Sequence, residues 1–242
     1  MNADQGAGMF RRVVVKLSGE ALTGGDTHGL NAATVQRIAI DLVAASDSGT
    51  EIAVVVGGGN FFRGIQGATK GIERARADSI GMLATVMNAL AIEAAIEAEG
   101  YPARALSAVP MPSVCQPYSR QAALHHLAKG RICVLAGGTG NPFFTTDTGA
   151  VLRAAELSCD AVMKATQVDG VYSADPKRDA SATRFTHLTH DDAINRNLAV
   201  MDTAAFALAR ENRIPILVFS IAVEGAIRSA LDGSGTFTLV VP

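Results

Sequence analysis

The stretch EIAVVVGGGN (residues 51–60) joins a run of β-branched residues directly to three glycines. Such a run predicts a buried strand, and the glycines let the backbone turn sharply or approach a ligand closely. The same order, a short apolar run and then glycine or lysine, recurs at RVVVKLSG (12–19), RICVLAGGTG (131–140) and DAVMKAT (160–166). Segments with helical periodicity follow these runs. The sequence therefore predicts strands that alternate with helices.

This alternation is typical of a mainly parallel sheet with helices on both faces. The predicted fold class is therefore α/β, a three-layer α/β/α sandwich, and 242 residues with 48% hydrophobic content suffice for one large core. Ligands of such sheets bind outside the carboxyl ends of the strands. We expect the site at the turns after Leu17, Val56, Ala136 and Ala165. The irregular stretch 168–185 indicates a seam between two lobes near residue 165.

Composition excludes several classes of protein. The 21 basic residues are balanced by 23 acidic ones, so no basic excess marks a nucleic-acid or membrane partner. The cysteines Cys115, Cys133 and Cys159 form no CxxC pair, and the five histidines have no metal-ligand spacing. We expect no disulfide framework, no protein metal site and a reducing compartment, the cytoplasm. The first nine residues predict no secretory signal.

Several familiar motifs are missing from the sequence. It contains no GxxxxGK[ST], GxGxxG, HExxH or GxSxG, which disfavours P-loop NTPases, Rossmann dehydrogenases, zincins and α/β-hydrolases. The apolar segment 83–98 is interrupted by Asn88, Glu93 and Glu97. We expect it to be too short and too polar to cross a bilayer, and to form a helix buried in a core or an interface.

Lysines at two predicted strand ends are candidates for phosphate binding. Lys16 interrupts an apolar strand, and Lys164 does the same just before Thr166. Such a lysine can simply extend its ammonium to solvent, which is the structural alternative. An ammonium fixed beside the backbone N–H groups of Ser18 and Gly19 would instead suit a phosphoryl group.

The glycine-rich turns favour anion binding. The glycines at 57–59 follow a buried strand, and Arg63 could add a planar fork to the same anion. The run GGTGNPFFTTD (137–147) ends at a predicted helix start, where N–H groups and the helix dipole bind anions. Turn formation and helix capping are the alternatives, but they do not account for the excess glycine or for Phe143 and Phe144.

A third segment, DGVYSADP (169–176), contains residues typical of turns. Tyr172 could cover a base or a ribose there. Asp–Gly and Asp–Pro pairs are also common in ordinary turns, so the segment indicates a ligand only together with the other strand ends.

These pieces together resemble a known family. Six stretches are similar, in order and at consistent spacing, to bacterial uridylate kinases of the amino-acid-kinase superfamily. They are KLSGEAL (16–22), VVVGGGNFFRG (54–64), GMLATVMNALA (81–91), GGTGNPFFTTD (137–147), KATQVDGVYSADP (164–176) and VMDTAAFALAR (200–210). The resemblance implies one amino-acid-kinase domain over 1–242, with an acceptor-binding lobe at 10–165 and an ATP-nucleoside lobe at 166–242. It also implies transfer of the ATP γ-phosphoryl group to UMP with Mg²⁺, in a homohexamer that GTP activates and UTP inhibits.

The resemblance also assigns site residues. The catalytic centre would be Lys16, Asp147 and Lys164. ATP would be bound by Lys16, Leu17, Ser18, Gly19, Gly59, Arg63, Thr166, Tyr172 and Asp175. UMP would be bound by Gly58, Asp78, Thr139, Gly140, Asn141, Pro142, Phe143, Phe144, Thr145 and Thr146. The chain departs from the family beside Asp78, where the common Gly-Asp-His/Tyr-Met-Gly-Met is replaced by ADSIGM (77–82).

Two other interpretations stay open at this point. A non-catalytic nucleotide sensor on the same fold would keep the glycine loops and lose the charged centre, and a carbamate or amino-acid kinase would lack the run TGNPFFTT (139–146). We further expect Asp147 to orient Lys16 or a water on Mg²⁺ rather than to act as a base. We expect Lys16 to be unpaired, so that its loss would leave folding little changed.

Overall fold

A computed structural model describes residues 10–62, 71–176, 178–179, 181–198 and 200–242. The strands are β1 (Arg12–Leu17), β2 (Glu51–Val56), β3 (Ala103–Ser107), β4 (Gln116–Pro117), β5 (Ile132–Ala136), β6 (Ala161–Thr166), β7 (His187–Thr189), β8 (Ile216–Ser220) and β9 (Phe237–Val241). They form one sheet in the order β4-β3-β5-β2-β1-β6-β8-β9-β7. Only the β8–β9 pair is antiparallel among these described strands.

Helices cover both faces of the sheet. They are α1 (Ala32–Ser46), α2 (Arg74–Ala98), α3 (Arg120–Leu127), α4 (Thr146–Glu156), α5 (His190–Asn195), α6 (Thr203–Glu211) and α7 (Ala226–Leu231), with a 3-10 helix at Gly19–Leu22. In β1, Val13, Val15 and Leu17 pack with α1, α2 and α7, whereas Val14 packs with α3 to α6 on the other face. This period of two gives the sheet two separate cores. The predicted three-layer sandwich is confirmed.

Capping side chains mark several helix starts. Asn31 caps α1, Ser119 caps α3 and Asp202 caps α6, each by accepting a hydrogen bond from a backbone N–H three residues on. The cap of α4 is Thr145, one residue before the predicted start. The short elements β4, β7 and α5 were not predicted from the sequence.

Helix α2 is longer than the apolar segment 83–98 that predicted it. It has 25 residues, because it begins at Arg74. By length and composition alone it could therefore cross a membrane, a test that core helices of soluble proteins also pass. Here it packs on α1, β3 and β5. Its predicted burial is only partial, since Leu83 and Met87 are each 47% exposed.

Candidate active site

Two lysines meet at the carboxyl ends of the central strands. Lys16 of β1 and Lys164 of β6 are direct register partners in this parallel pair. They lie on the same face as Val14 and Val162, which pack under α4. Both lysine residues are buried, with 6% and 8% of their surface exposed. A buried ammonium needs a partner of opposite charge.

Asp147, in the first turn of α4, is that partner for both lysines. Its Oδ2 accepts a hydrogen bond from Lys164 Nζ at 2.5 Å. Its Oδ1 forms an ion pair with Lys16 Nζ at 2.8 Å. Burial raises the pKa of Asp147, but the two ammonium groups outweigh burial and hold the pKa below its usual value. The carboxylate is therefore ionised, and the expectation of an unpaired Lys16 was wrong.

The charge of Lys164 is strongly perturbed by its surroundings. Burial first, and then the neighbouring Lys16 ammonium, lower the pKa of Lys164 to about 8, although Asp147 and Asp202 oppose the shift. Below that pH, two ammonium groups and one carboxylate leave the cluster with a net charge of +1. A buried net positive charge at the strand ends favours an anionic ligand.

The glycine turns after β1 and β2 touch each other beside this cluster. The Gly57 N–H donates to the Leu17 carbonyl at 2.9 Å. A Cβ on Gly19 would lie 2.6 Å from the Gly59 nitrogen, so only glycine permits this approach. In the described part of the chain, the Gly58 and Gly59 N–H groups donate to no acceptor. These donors are available to a ligand.

Three of the predicted ATP-binding residues need comment. The side chain of Leu17 is fully buried in the core, so only its backbone is near the site. The Ser18 hydroxyl accepts a hydrogen bond from the Ala21 N–H and caps the 3-10 helix. Arg63 lies outside the described residues.

A cavity of about 400 Å³ opens between α2 and the turn after β5. The predicted UMP residues that line it are Gly58, Asp78, Thr139, Asn141, Phe144, Thr145 and Thr146, whereas Gly140, Pro142 and Phe143 are not among its lining residues. Sequence reasoning missed the lining residues Phe62, Arg74, Gly81, Met82 and Thr85, and it placed Gly59 with ATP alone. Gly137 and Gly138 belong to the run 137–147 that was predicted to bind an anion, although they were not among the assigned UMP residues. The positions that depart from the family, Ala77, Ser79 and Ile80, do not line the cavity.

Asp78 ties the turn after β5 to helix α2. Its Oδ2 accepts hydrogen bonds from Arg74 Nε at 2.7 Å and from the Phe143 N–H at 2.8 Å. The Arg74 guanidinium also lies 5.8 Å from the centre of the Phe143 ring. Phe143 has a φ of 72°, in the left-handed region that a bulky residue rarely adopts. The spacing of Arg74 and Asp78, four residues on one helix, was a signal available in the sequence.

Asp202 joins the starts of α4 and α6. Besides capping α6, it accepts hydrogen bonds from the hydroxyls of Thr145 and Thr148, the latter at 2.9 Å. Thr145 in turn caps α4 by accepting from the Asp147 and Thr148 N–H groups. The position of Asp147 thus depends on a contact between the two helix starts.

A second cavity, of about 440 Å³, lies farther along the chain. Its lining residues are Val168, Gly170, Val171, Tyr172, Ser173, Ala174, Asp175, Pro176, Arg196, Asn197, Leu198 and Val200. It includes the predicted Tyr172 and Asp175, but not Thr166, whose hydroxyl donates to the Val168 carbonyl at 2.7 Å. Arg196 and Asn197 were missed, because no motif marked them.

The residues present fit a Mg²⁺ ion that enters with a nucleotide. Within the described ranges, no group of three His, Cys, Asp or Glu side chains could hold a metal alone. Mg²⁺ usually keeps several waters and binds through one or two carboxylates and substrate phosphates. Asp147 supplies one such carboxylate, buried beside the two lysine ammonium groups.

Comparison with known proteins shows the family of this chain. The amino acid kinase family matches residues 11–220. A uridylate kinase of Azorhizobium caulinodans is 62% identical over 96% of this chain and 98% of that protein. Crystal structures of UMP kinases from Bacillus anthracis and Ureaplasma parvum have a TM-score of 0.91 at 38% and 33% identity. Each match covers 96% of this chain, and it covers 96% of the Bacillus anthracis chain and 99% of the Ureaplasma parvum chain. The chain therefore belongs to the amino acid kinase family.

Proposed function

We propose that this protein is a uridylate kinase, which transfers the γ-phosphoryl group of ATP to UMP to give UDP and ADP in pyrimidine nucleotide biosynthesis. The observation that carries the proposal is the buried cluster of Lys16, Asp147 and Lys164 at the strand ends. Relatives named uridylate kinase, 54–62% identical over nearly the whole chain, support it.

The two cavities support separate binding sites for the two nucleotides. The first is lined only by residues from 58 to 146, and the second only by residues from 168 to 200. We assign the first to UMP, within an acceptor lobe at 10–165, and the second to the nucleoside of ATP, within a lobe at 166–242. The cavity beside α2 adjoins the lysine cluster, since Thr146 lines it and precedes Asp147.

The proposed mechanism is in-line transfer between the two bound nucleotides. Phosphoryl transfer needs positioning and positive charge more than covalent help from the protein. Lys16 and Lys164 supply that charge, and the Gly58 and Gly59 N–H groups bind flanking phosphate oxygens. Asp147 holds both ammonium groups in place, and no general base is needed because the acceptor phosphate is already ionised. Mg²⁺ bound with ATP would neutralise phosphate charge, and Asp147 would orient a water on that ion.

Assembly, regulation and location form a further part of the proposal. We propose a cytoplasmic homohexamer built from dimers, activated by GTP and inhibited by UTP. Support for assembly comes from an apolar groove of about 470 Å³ on α2, which includes Ile80, Leu83 and Met87. Light scattering that gives a monomer at micromolar concentration would contradict the hexamer. Rates measured with added GTP or UTP test the regulation.

The acceptor identity is tested by supplying ATP and Mg²⁺ with UMP, CMP, dTMP, AMP or GMP and measuring ADP release. We expect a strong preference for UMP. Uracil offers an N3–H donor between two acceptors, whereas cytosine has an acceptor at N3 and a donor at C4. A pocket matched to one base leaves groups unpaired with the other, at roughly 1–3 kcal/mol each.

The alternatives give different results in the same assay. Equal rates with CMP and UMP would contradict the uridylate assignment and leave a nucleotide kinase. Nucleotide binding without any turnover would favour the sensor. Purine monophosphates are expected to be excluded by size, and a sugar contact through Asp78 would favour UMP over dTMP.

A further inference from the structure

Arg153, a buried residue of α4, contacts the turn that lines the first cavity without lining the cavity itself. Its Nη2 donates to the Gly138 carbonyl at 2.9 Å, and its Nη1 donates to Glu156 Oε2 at 2.6 Å. The guanidinium stacks 4.0 Å from the centre of the Tyr118 ring. The Tyr118 hydroxyl donates to the same Glu156 oxygen at 2.5 Å. The Tyr118 ring and the Glu156 carboxylate thus hold the Arg153 guanidinium, which donates a hydrogen bond to the turn after β5.

The turn itself fits closely against α4. Gly138 has a φ of 55°, and a Cβ on Gly149, one helical turn before Arg153, would lie 3.2 Å from the Gly138 Cα and carbonyl carbon. From the other side, the Gly137 N–H donates to Thr85 Oγ1 at 2.7 Å. Helices α2 and α4 therefore fix consecutive residues of the turn.

Holding the Gly138 carbonyl also orients the next N–H group. The peptide bond is planar and trans, so the Thr139 N–H points opposite to the carbonyl that Arg153 holds. Thr139 lines the cavity, and nothing in the described part of the chain accepts a hydrogen bond from its N–H. An N–H of fixed direction and without a partner is suited to an acceptor oxygen of a ligand.

We propose that Arg153 is a positioning residue of the acceptor site, which sets the Gly138–Thr139 peptide for the acceptor nucleotide and so determines UMP affinity and base preference. This inference rests on the proposed uridylate kinase function. Lysine cannot replace the arginine here, because a single ammonium lacks the planar fork that contacts Gly138, Glu156 and the Tyr118 ring together.

The test compares Arg153→Lys with Arg120→Lys. Arg120 is a matched control because it is exposed and donates through Nε to the Glu156 carbonyl at 2.5 Å, at the end of α4 away from the turn. Both variants keep the charge. KM for UMP, KM for ATP and kcat are measured together with thermal unfolding and the ratio of kcat/KM for UMP over CMP.

For Arg153→Lys we expect KM for UMP to rise roughly tenfold or more, because a charge-assisted hydrogen bond to the turn is lost. KM for ATP should stay within about twofold, and the preference for UMP over CMP should fall. The control should leave all of these values unchanged. Tyr118→Phe keeps the ring and removes only the hydroxyl, so it should raise KM for UMP by a smaller factor in a folded protein.

The outcomes separate the inference from the function. If the wild-type enzyme turns over UMP and Arg153→Lys raises both KM values equally, raises neither, or only lowers the unfolding temperature, the inference is wrong and the function stands. Should Arg153→Lys fail to fold, an unchanged KM for UMP in Tyr118→Phe refutes the inference. Absence of UMP turnover in the wild type overturns the proposed function, and the inference with it.

Discussion

Replacing Lys16 with methionine removes one buried ammonium group while keeping the volume of the side chain and its place in β1. The loss does not strand the opposite charge, since Asp147 Oδ2 keeps its bond to Lys164 at 2.5 Å. Breaking a buried pair costs about 3–5 kcal/mol when a charge is left alone. With Lys164 still in place, we expect the free energy of unfolding to fall by only about 1–2 kcal/mol.

The effect on the rate should be much larger. The net charge of the cluster changes from +1 to zero, so charge that develops on the transferred group loses one fixed partner. Loss of one preorganised donor typically lowers kcat by roughly 10²–10³-fold. That corresponds to about 2.7–4 kcal/mol of transition-state free energy.

The same substitution should change the pH dependence. After burial, the Lys16 charge is the main cause that lowers the pKa of Lys164 to about 8. Lys164 acts while protonated, so kcat/KM of the wild type should fall as pH rises through about 8. Without Lys16 the pKa of Lys164 rises. The residual activity of the variant should therefore persist to higher pH.

Steady-state ADP release, measured from about pH 6 to about pH 10, tests both effects. Lys129→Met is the control, because Lys129 is exposed and belongs to no part of the site. A kcat for Lys16→Met within a few-fold of wild type would show that the ammonium does not act on the transition state. If the kcat/KM of the variant falls at the same alkaline pH as that of the wild type, the two lysines do not interact.

Two further predictions concern other groups. Asp78→Ala frees the Phe143 N–H and the turn beside it, so KM for UMP should rise roughly 10–100-fold with little change in KM for ATP; equal changes in both would contradict a local role. Burial holds the pKa of His190 below its ordinary value of 6.5, although the Ile214 backbone and the Asp191 carboxylate act in the opposite direction. Its stabilising contribution is therefore complete above pH 6.5 and is lost as pH falls through the lowered pKa. His190→Leu should flatten the acid side of the unfolding curve, whereas parallel curves for variant and wild type would refute this.

The alternation of side chains along the strands was enough to predict where both lysines of the site lie. Lys16 follows Val14 by two residues, and Lys164 follows Val162 by two, so each lysine is directed to the face of its apolar neighbour. That pattern, with the turn 137–147, was sufficient to expect a phosphate site at the strand ends. The register that places Lys16 opposite Lys164 is a contact between distant parts of the chain. No local pattern contains it, and the direct contact of Asp147 with Lys164 was not predicted for the same reason.

Elements and residues that depend on tertiary contacts were not predicted from the sequence. Strand β7 has only three residues and is ordered by pairing with β9. Arginines on helices are usually exposed, so nothing local distinguished Arg153, which is 5% exposed. Its burial follows from Tyr118 and Gly138, which approach it from other elements.

The energetics of the lysine cluster suit it to stabilise charge on a transferred phosphoryl group. Burial, and then repulsion between the two ammonium groups, lower the pKa of Lys164 in the free protein. A nucleotide phosphate that enters beside them brings negative charge, which raises the pKa of Lys164 and keeps its proton during transfer. The cluster is therefore least favourable when empty and most favourable when charge accumulates on the transferred group. Because Asp147 fixes both ammonium groups beforehand, little reorganisation is needed at that moment, which is how preorganised charge lowers a barrier.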